Sequence, residues 1–295
     1  MQHKQFCISE ALNWAKAQLS AHGVSDDGLH DSTAIDSKVL VAASIQQEVV
    51  YLHTWPEKRL TDSQQKKLED YVNLRILGHP VAHIIGYRDF WSLRLNVSPA
   101  TLIPRPETEL LVEIALNLQL NKQAKVLDLG TGTGAIALAL ASEHPNWQIT
   151  GVDKSDEAIS LAQENAALNG FEQVTFKQSD WFSALENQQF ELIVSNPPFY
   201  SEIVSSGDSS RDAARQNLSL PFEELLKGVA RLLDDNGVFA TIMPYKDEDR
   251  FLKLAAEFSL FPRRMTRVKG SSSTAVKRSL MEFGFKQTTP KIDEL

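Results

Sequence analysis

The stretch VLDLGTGTG at residues 126–134 decides the fold of this chain. An apolar run of strand character ends in three glycines at alternate positions, and the apolar stretch AIALALAS at 135–142 follows at once. A strand, a glycine turn and a helix N-terminus in this order bring backbone NH groups close to a ligand. The spacing is G-x-G-x-G, whereas dinucleotide-binding turns carry G-x-G-x-x-G. The stretch predicts a ligand-binding turn at the carboxyl end of a buried strand.

Strands and helices alternate outward from this turn. Such alternation predicts an α/β fold with a mostly parallel sheet covered on both faces. The predicted strands are Val126–Leu129, Gln148–Val152, Val174–Lys177, Leu192–Ser195, Val238–Met243 and Arg278–Phe285. The predicted helices are Ala135–Ser142, Glu157–Asn169, Phe222–Leu233 and Asp249–Phe258.

The N-terminal part of the chain has a different pattern of apolar residues. Apolar residues recur at helical spacing through residues 1–80, and Thr61 with Gln64 has the pattern of a capping box that opens a helix. Alternating apolar residues between Tyr87 and Val97 predict a short strand pair. We therefore expect a helical domain over 1–84, a β-hairpin and linker over 85–104, and a larger domain over 105–295.

Bulk composition narrows the class of protein. The chain has 295 residues, of which 42% are hydrophobic, and a single cysteine, so it can bury a full core and forms no internal disulfide. Its N-terminus is too polar for a signal peptide, and no apolar run reaches the length of a membrane span, so we expect a cytoplasmic protein. The net charge of −8 divides into −9 over residues 1–198 and +1 over 199–295, which argues against extensive nucleic-acid wrapping.

Acidic residues follow two further strands and favour a particular cofactor. Asp153 ends the second strand about twenty residues after the turn, where a carboxylate accepts hydrogen bonds from ribose hydroxyls. Asp180 and Trp181 follow the third strand and suit an adenine amino group and ring. S-adenosylmethionine has a ribose and a cationic methionine but no pyrophosphate, and Asp128 adds negative charge nearby. A ligand-free turn and a nicotinamide site remain alternatives at this stage.

The fourth strand ends in SNPPF at 195–199, which predicts a catalytic corner. A planar NH₂ group is a poor nucleophile because its lone pair is delocalised. The Asn196 side-chain oxygen and the Pro197 carbonyl can accept both of its hydrogens and so aim its nitrogen at a sulfonium methyl. Phe199 can stack on the planar group, and the chemistry requires no metal. This motif favours methyl transfer over hydride transfer.

The chain resembles the HemK/PrmC family over about residues 8–199. The resemblance rests on Gly78-x-Pro80, Phe90-Trp91, the LIPRPETE stretch at 102–109, DLGTGTGAIALALA, and QSDWFSAL ahead of SNPPF. It implies a Rossmann-like class I methyltransferase sheet with a small N-terminal helical domain, and methylation of the GGQ glutamine of class-1 peptide chain release factors. The implied cofactor residues are Asp128, Gly130, Thr131, Gly132, Thr133, Gly134, Asp153, Asp180, Trp181 and Asn196, and the implied substrate residues are Asn196, Pro197, Pro198 and Phe199. Phe199 departs from the family, which usually has Tyr there.

Residues 199–285 instead resemble the YfiC-type methyltransferases, which modify N6 of a tRNA adenine. The matching stretches include Arg211-Asp212-x-Ala214-Arg215, LSLPFEELLKGVARLL at 218–233, and KRSLMEF at 277–283. Residues 263–278 also contain six cations without an acid, which would suit RNA phosphates; a solvated strand pair with ordinary surface charge is the alternative. These cations are Arg263, Arg264, Arg267, Lys269, Lys277 and Arg278.

Three hypotheses follow for the function. The first is a glutamine-N5 protein methyltransferase that acts on release factors. The second is a tRNA adenine-N6 methyltransferase, since an unpaired adenine offers a similar planar NH₂ group. The third is a cofactor-binding hybrid protein with weak turnover.

Overall fold

The computed structural model describes residues 5–24, 32–185, 188–197, 222–271 and 274–295. The chain divides into two compact units. One comprises Met1–Tyr87 with Val97–Pro99, and the other comprises Arg88–Asn96 with Ala100–Leu295. Residues 88–96 of the hairpin therefore belong to the second unit. The domain boundaries that we expect at residues 84 and 104 remain a prediction. In the described part of the chain, no helix combines the length and apolar character that crossing a membrane requires.

The first unit is helical, as the sequence predicts. Its helices are α1 (Ile8–Ala21), α2 (Thr33–Ser44), α3 (Val49–Thr54), α4 (Asp62–Ile76) and α5 (Val81–Ile85). The predicted capping box is confirmed: Gln64 N donates to Thr61 Oγ1, and the Gln64 side chain accepts from Thr61 N. The helices bury a common core that includes Leu19, Leu40, Leu68 and Val72.

The second unit begins with a two-stranded sheet of β1 (Tyr87–Phe90, whose first residue belongs to the first unit) and β2 (Leu93–Asn96). The remaining strands are β3 (Lys125–Leu129), β4 (Gln148–Asp153), β5 (Thr175–Gln178), β6 (Phe190–Ser195), β7 (Leu233–Pro244), β8 (Phe261–Lys269), β9 (Val276–Gly284) and β10 (Lys291–Glu294). The helices are α6 (Pro106–Leu116), α7 (Ala135–Glu143), α8 (Asp156–Asn169), α9 (Phe222–Leu232) and α10 (Glu248–Glu257).

Within the described residues, eight strands form one sheet in the order β10-β8-β9-β7-β6-β3-β4-β5. Strands β3 to β7 pair in parallel, and β9 runs antiparallel to β7 and β8. The predicted mostly parallel sheet is therefore confirmed. Parallel neighbours end at the same edge, so the residues that follow β3, β4, β5 and β6 lie along one side of the sheet.

Both faces of the central strands are buried. On β3, Val126 belongs to one apolar core and Leu127 to the other; on β6, Leu192 and Ile193 divide in the same way. Helices α6 and α7 contribute to the first core, and α9 and α10 contribute to the second. A strand covered on both sides has no polar face, which explains the continuous apolar runs in the sequence.

Candidate active site

The turn after β3 needs its glycines for backbone geometry. Gly130, Gly132 and Gly134 have φ values of 77°, 54° and 81°, a region that residues with a Cβ seldom occupy. The Gly130 and Thr131 backbone NH groups both donate to the Val152 carbonyl at 2.9 Å, which fixes the turn against β4. A Cβ added to Gly130 or Gly132 would meet open space, so the outer side of the turn is accessible to a ligand.

Asp128 supports this turn from inside the protein. Its side chain is 0% exposed, and its Oδ2 accepts from Thr131 Oγ1 at 2.6 Å and from the Ala137 backbone NH at 3.2 Å. Burial raises the pKa of the Asp128 carboxyl from 3.8 to about 6. Asp128 Oδ1 has no hydrogen-bond partner among the described residues. The negative charge that the sequence predicts near the cofactor therefore belongs to a carboxyl group buried inside the protein.

Asp153 meets the same turn at the end of β4. One of its carboxylate oxygens accepts from the Gly132 backbone NH at 2.9 Å, and the other accepts from the Ser155 backbone NH at 3.0 Å. The side chain is half-buried. The structure brings Asp153 and the glycine turn together, and each carboxylate oxygen retains capacity for a further donor. Its contact with a ribose stays a prediction.

The turn after β5 carries Asp180 and Trp181. Trp181 has a φ of 61°, and its partly buried ring stacks on Phe182 with the centroids 6.4 Å apart. Asp180 is exposed and forms an ion pair with Lys154 at 3.2 Å. The Ser179 backbone NH donates to the Asp153 carbonyl, which connects this turn to the end of β4. Both residues therefore belong to the same edge as Asp153.

Asn196 and Pro197 follow β6 at this edge. The Ser195 hydroxyl donates to the Leu129 carbonyl at 2.8 Å, so the ends of β6 and β3 are joined. The Asn196 Nδ2 group donates to Thr108 Oγ1 at 2.9 Å, and Pro197 is buried. Pro198 and Phe199, the other two predicted substrate residues, lie outside the described residues.

Two residues near this edge were not predicted from the sequence. Thr108 lies in the LIPRPETE stretch, to which the sequence analysis assigned no role in the site. Asn165 of α8 is 0% exposed: its Nδ2 donates to the carbonyls of Asn96 and Thr133, and its Oδ1 accepts from the Asn96 backbone NH. It therefore joins the hairpin to the glycine turn. The available signal was a polar residue on the otherwise apolar face of α8.

Three of the six predicted RNA-binding cations form ion pairs with carboxylates of the C-terminal part of the chain. Ion pairs join Arg264 to Asp293 at 2.8 Å, Arg267 to Glu248 at 2.7 Å, and Lys269 to Glu294 at 2.7 Å. The stretch has no acid of its own, but carboxylates from α10 and β10 lie against it. Residues 263–278 lie on β8, on β9 and between them, and the two strands pair antiparallel. The strand pair that the alternative assumed is therefore present.

The assembled residues fit S-adenosylmethionine. The outer side of the glycine turn is open, two carboxylates lie at the turn, and an aromatic side chain follows the neighbouring strand. Carboxylates suit a cationic cofactor with ribose hydroxyls. Asp153 and the glycine turn would hold the ribose and methionine, and Asp180 with Trp181 would hold the adenine.

Comparison with known proteins identifies both parts of the chain. A PrmC N-terminal domain matches residues 10–86, and a methyltransferase domain matches residues 120–281. The release factor glutamine methyltransferase of Shewanella oneidensis is 54% identical over 198 residues, which is 67% of this chain and 67% of that protein. Those of Pseudomonas aeruginosa and Escherichia coli are 48% and 46% identical; the alignments cover 60% and 65% of this chain, and 64% and 68% of those proteins.

The matched regions span about two thirds of these relatives. They leave about a third of this chain outside each alignment, and none of these relatives is named for a tRNA substrate. The matched methyltransferase domain accounts for the sheet, the glycine turn and the acidic strand ends described above. The chain is an S-adenosylmethionine-dependent methyltransferase and belongs to the release factor glutamine methyltransferase family.

Proposed function

We propose that this chain transfers a methyl group from S-adenosylmethionine to the side-chain amide nitrogen of the GGQ glutamine in class-1 peptide chain release factors. The observation that carries the proposal is the position of Asn196 on the sheet edge that also holds the glycine turn and Asp153. The names and identities of the relatives support the choice of a glutamine amide. We further propose that the protein acts in the cytoplasm, in translation termination.

The chemistry of an amide nitrogen explains the role that we assign to Asn196 and Pro197. Bound S-adenosylmethionine supplies an electrophilic methyl group on a sulfonium. The Asn196 Oδ1 and the Pro197 carbonyl would accept the two N–H hydrogens of the substrate amide and raise the electron density on its nitrogen. Positive charge develops on that nitrogen during transfer, so both acceptors bind the transition state more strongly than the ground state. The nitrogen–methyl bond would form as the methyl–sulfur bond breaks and leaves a neutral thioether, and one N–H proton would then pass to solvent. Phe199 would stack on the amide plane.

The test is methyl transfer from labelled cofactor to a purified release factor and, side by side, to tRNA. We expect many turnovers on the release factor, and loss of transfer when the GGQ glutamine is substituted. Asn196→Ala should lower turnover severely and leave a small residual rate, whereas the matched control Asn169→Ala, at the end of α8, should retain turnover. Transfer to tRNA alone would overturn the proposal in favour of the adenine hypothesis, and a single turnover would favour the hybrid protein.

We also propose that residues 1–84 recognise the release factor. Within the described residues of this unit, Ile35, Val50, Trp55 and Leu77 are 69%, 70%, 50% and 75% exposed, and exposed apolar side chains of this size commonly mark interaction surfaces when they form a patch. Trp55→Ser should raise the KM for an intact release factor and leave the KM for a short GGQ peptide unchanged. An equal change for both substrates would contradict a docking role.

A further inference from the structure

The LIPRPETE stretch at 102–109 contributes a side chain to the catalytic corner. Helix α6 begins at Pro106, and Thr108 is its third residue. The Thr108 side chain is 6% exposed, and its Oγ1 accepts a hydrogen from Asn196 Nδ2 at 2.9 Å. The two residues are 88 positions apart in the sequence, so the tertiary fold alone brings them together.

The chemistry of Asn196 depends on which side of its amide faces the substrate. An asparagine amide has an acceptor oxygen and a donor NH₂ of nearly the same shape, and its terminal torsion has broad minima. A substrate NH₂ group needs the oxygen. When Oδ1 faces the substrate, the Asn196 NH₂ group is turned into the protein, where it needs an acceptor because an unmet buried N–H is unfavourable. Thr108 Oγ1 is such an acceptor.

The helix start that carries Thr108 is itself anchored. The neighbouring Glu109 side chain accepts from the Trp91 backbone NH at 2.9 Å, and the Trp91 indole NH donates to Glu143 of α7 at 2.7 Å. Trp91 has a φ of 57°, in the turn between β1 and β2. The hairpin turn, α6 and α7 thus form one hydrogen-bonded unit. This unit fixes where the Thr108 hydroxyl lies.

We propose that Thr108 is a positioning residue for methyl transfer, which holds the Asn196 amide with its oxygen turned to the substrate nitrogen; this rests on the function proposed above. The Thr108 oxygen also polarises the Asn196 N–H bond, which shifts electron density within the amide towards Oδ1. Hydrogen bonds in a chain strengthen one another, so Oδ1 becomes a better acceptor. Thr108 acts through Asn196 and touches no reacting atom.

Two substitutions separate this role from a structural one. Thr108→Val keeps the side-chain shape and removes the acceptor, and Thr108→Ser keeps the hydroxyl. We expect Val to lower kcat by about ten- to a hundredfold, the rate equivalent of one hydrogen bond to a partly buried amide, with cofactor affinity and the unfolding midpoint little changed. Ser should restore most of kcat. A kcat within twofold of the parent for Val, or an equal loss for Val and Ser, would overturn the proposal.

A double-mutant cycle tests whether Thr108 acts through Asn196. Residues that act as one unit are non-additive, so Thr108→Val should have no further effect on residual turnover in the Asn196→Ala background. A second loss of the same size would show that Thr108 has an independent role and would contradict the inference.

A measurement without substrate separates failure of this inference from failure of the proposed function. The Asn196 side-chain NH₂ signals in a ¹H–¹⁵N spectrum are identified by their loss in Asn196→Ala. In the parent and in Thr108→Ser, one of the two protons should be shifted as a hydrogen-bonded proton, and Thr108→Val should abolish the shift. Unchanged signals in Val would overturn the positioning role even if neither release factor nor tRNA is methylated.

Discussion

The Asp153 carboxylate accepts a hydrogen bond from the Gly132 backbone NH over 2.9 Å and so connects the end of β4 to the turn after β3. A side chain that is also expected to bind the ribose therefore holds the turn in its ligand-binding geometry. The two roles reinforce each other, because a disturbed Asp153 would disturb both the turn and the cofactor contact.

Asp153→Ala should weaken S-adenosylmethionine binding by about 1–3 kcal/mol, the cost of hydrogen bonds left unmet in a partly buried site. Asp153→Asn, which keeps one acceptor oxygen, should lose less. Isothermal titration calorimetry gives the affinities, and Asp156→Ala serves as a control because this exposed acid lies three residues further on. Undiminished affinity in Asp153→Ala would show that the ribose lies elsewhere.

The buried Asp128 carboxyl should make stability depend on pH. Its pKa is raised from 3.8 in an exposed setting to about 6 in the fold, so the native state holds its proton more tightly than the unfolded chain does. The contribution of Asp128 to stability therefore falls as the pH rises from 4 to 7, by roughly 3 kcal/mol for a shift of about two units. Asp128→Asn removes this titration.

Urea unfolding of both proteins at several pH values isolates the Asp128 effect from that of the other carboxylates. The free energy of unfolding of the parent minus that of Asp128→Asn should decrease across this window and become constant above it. A difference that does not change with pH would contradict the raised pKa.

Asn165→Ala should lower the free energy of unfolding by about 2–4 kcal/mol, because the Asn96 NH and the Asn96 and Thr133 carbonyls lose their partner at a buried site. It should also weaken cofactor binding, since Thr133 belongs to the glycine turn. The control is Asn169→Ala, one turn further along α8, where the hydrogen bonds to Arg94 and Asn165 are less buried. Equal losses in the two variants would show that burial of the network does not matter.

Two ion pairs in the C-terminal part of the chain should contribute differently to the free energy of unfolding. Glu248 is 2% exposed and accepts from Arg267 and from the Ser279 hydroxyl, so Glu248→Ala leaves these donors without their acceptor and should cost about 3–5 kcal/mol. The Lys269–Glu294 pair is more exposed, and Glu294→Ala should cost about 0–1 kcal/mol. Chemical denaturation measures both values, and similar costs would contradict the argument from burial.

The sequence predicted the central strands and helices because local signals bound them. Strands β3, β4 and β5 end at glycine or acidic turns and β6 ends at Asn196-Pro197, and the structure moves the boundaries of these four strands by no more than two residues. Strand β7 begins earlier than predicted, because Asp234-Asp235-Asn236-Gly237 has the composition of a turn but lies within the strand. Leu233 pairs with Phe190 and Val238 pairs with Leu192 of β6, and residues 234–237 form an irregularity of the register between these two pairs.

Strand β10 was not predicted, and β8 was predicted only within the alternative of a strand pair over residues 263–278. The cations Arg263, Arg264, Arg267 and Lys269 obscure the alternation of β8, and the carboxylates that pair with three of them come from Glu248, Asp293 and Glu294. Charge balance between segments far apart in the sequence leaves no local pattern. The cluster of cations therefore suggested an RNA surface.

The residues of the candidate site also divide into those with a local sequence signal and those that depend on distant partners. Asp153, Asp180 and Asn196 could be predicted because each follows a strand, and parallel strands end together. Thr108 and Asn165 could not, because each acts through a partner more than thirty residues away in the sequence. Only the fold shows that Thr108, at the start of a helix, accepts a hydrogen bond from Asn196.

The way in which the glycine turn uses its own amides limits which cofactors it accepts. Four of the five NH groups from Gly130 to Gly134 already donate within the protein: two to Val152, one to Asp153 and one to Thr131. A pyrophosphate requires free NH donors and is repelled by carboxylates, so NAD and related dinucleotides are disfavoured by both features. A positively charged sulfonium cofactor meets no such obstacle, so the charge around the turn favours S-adenosylmethionine over dinucleotides.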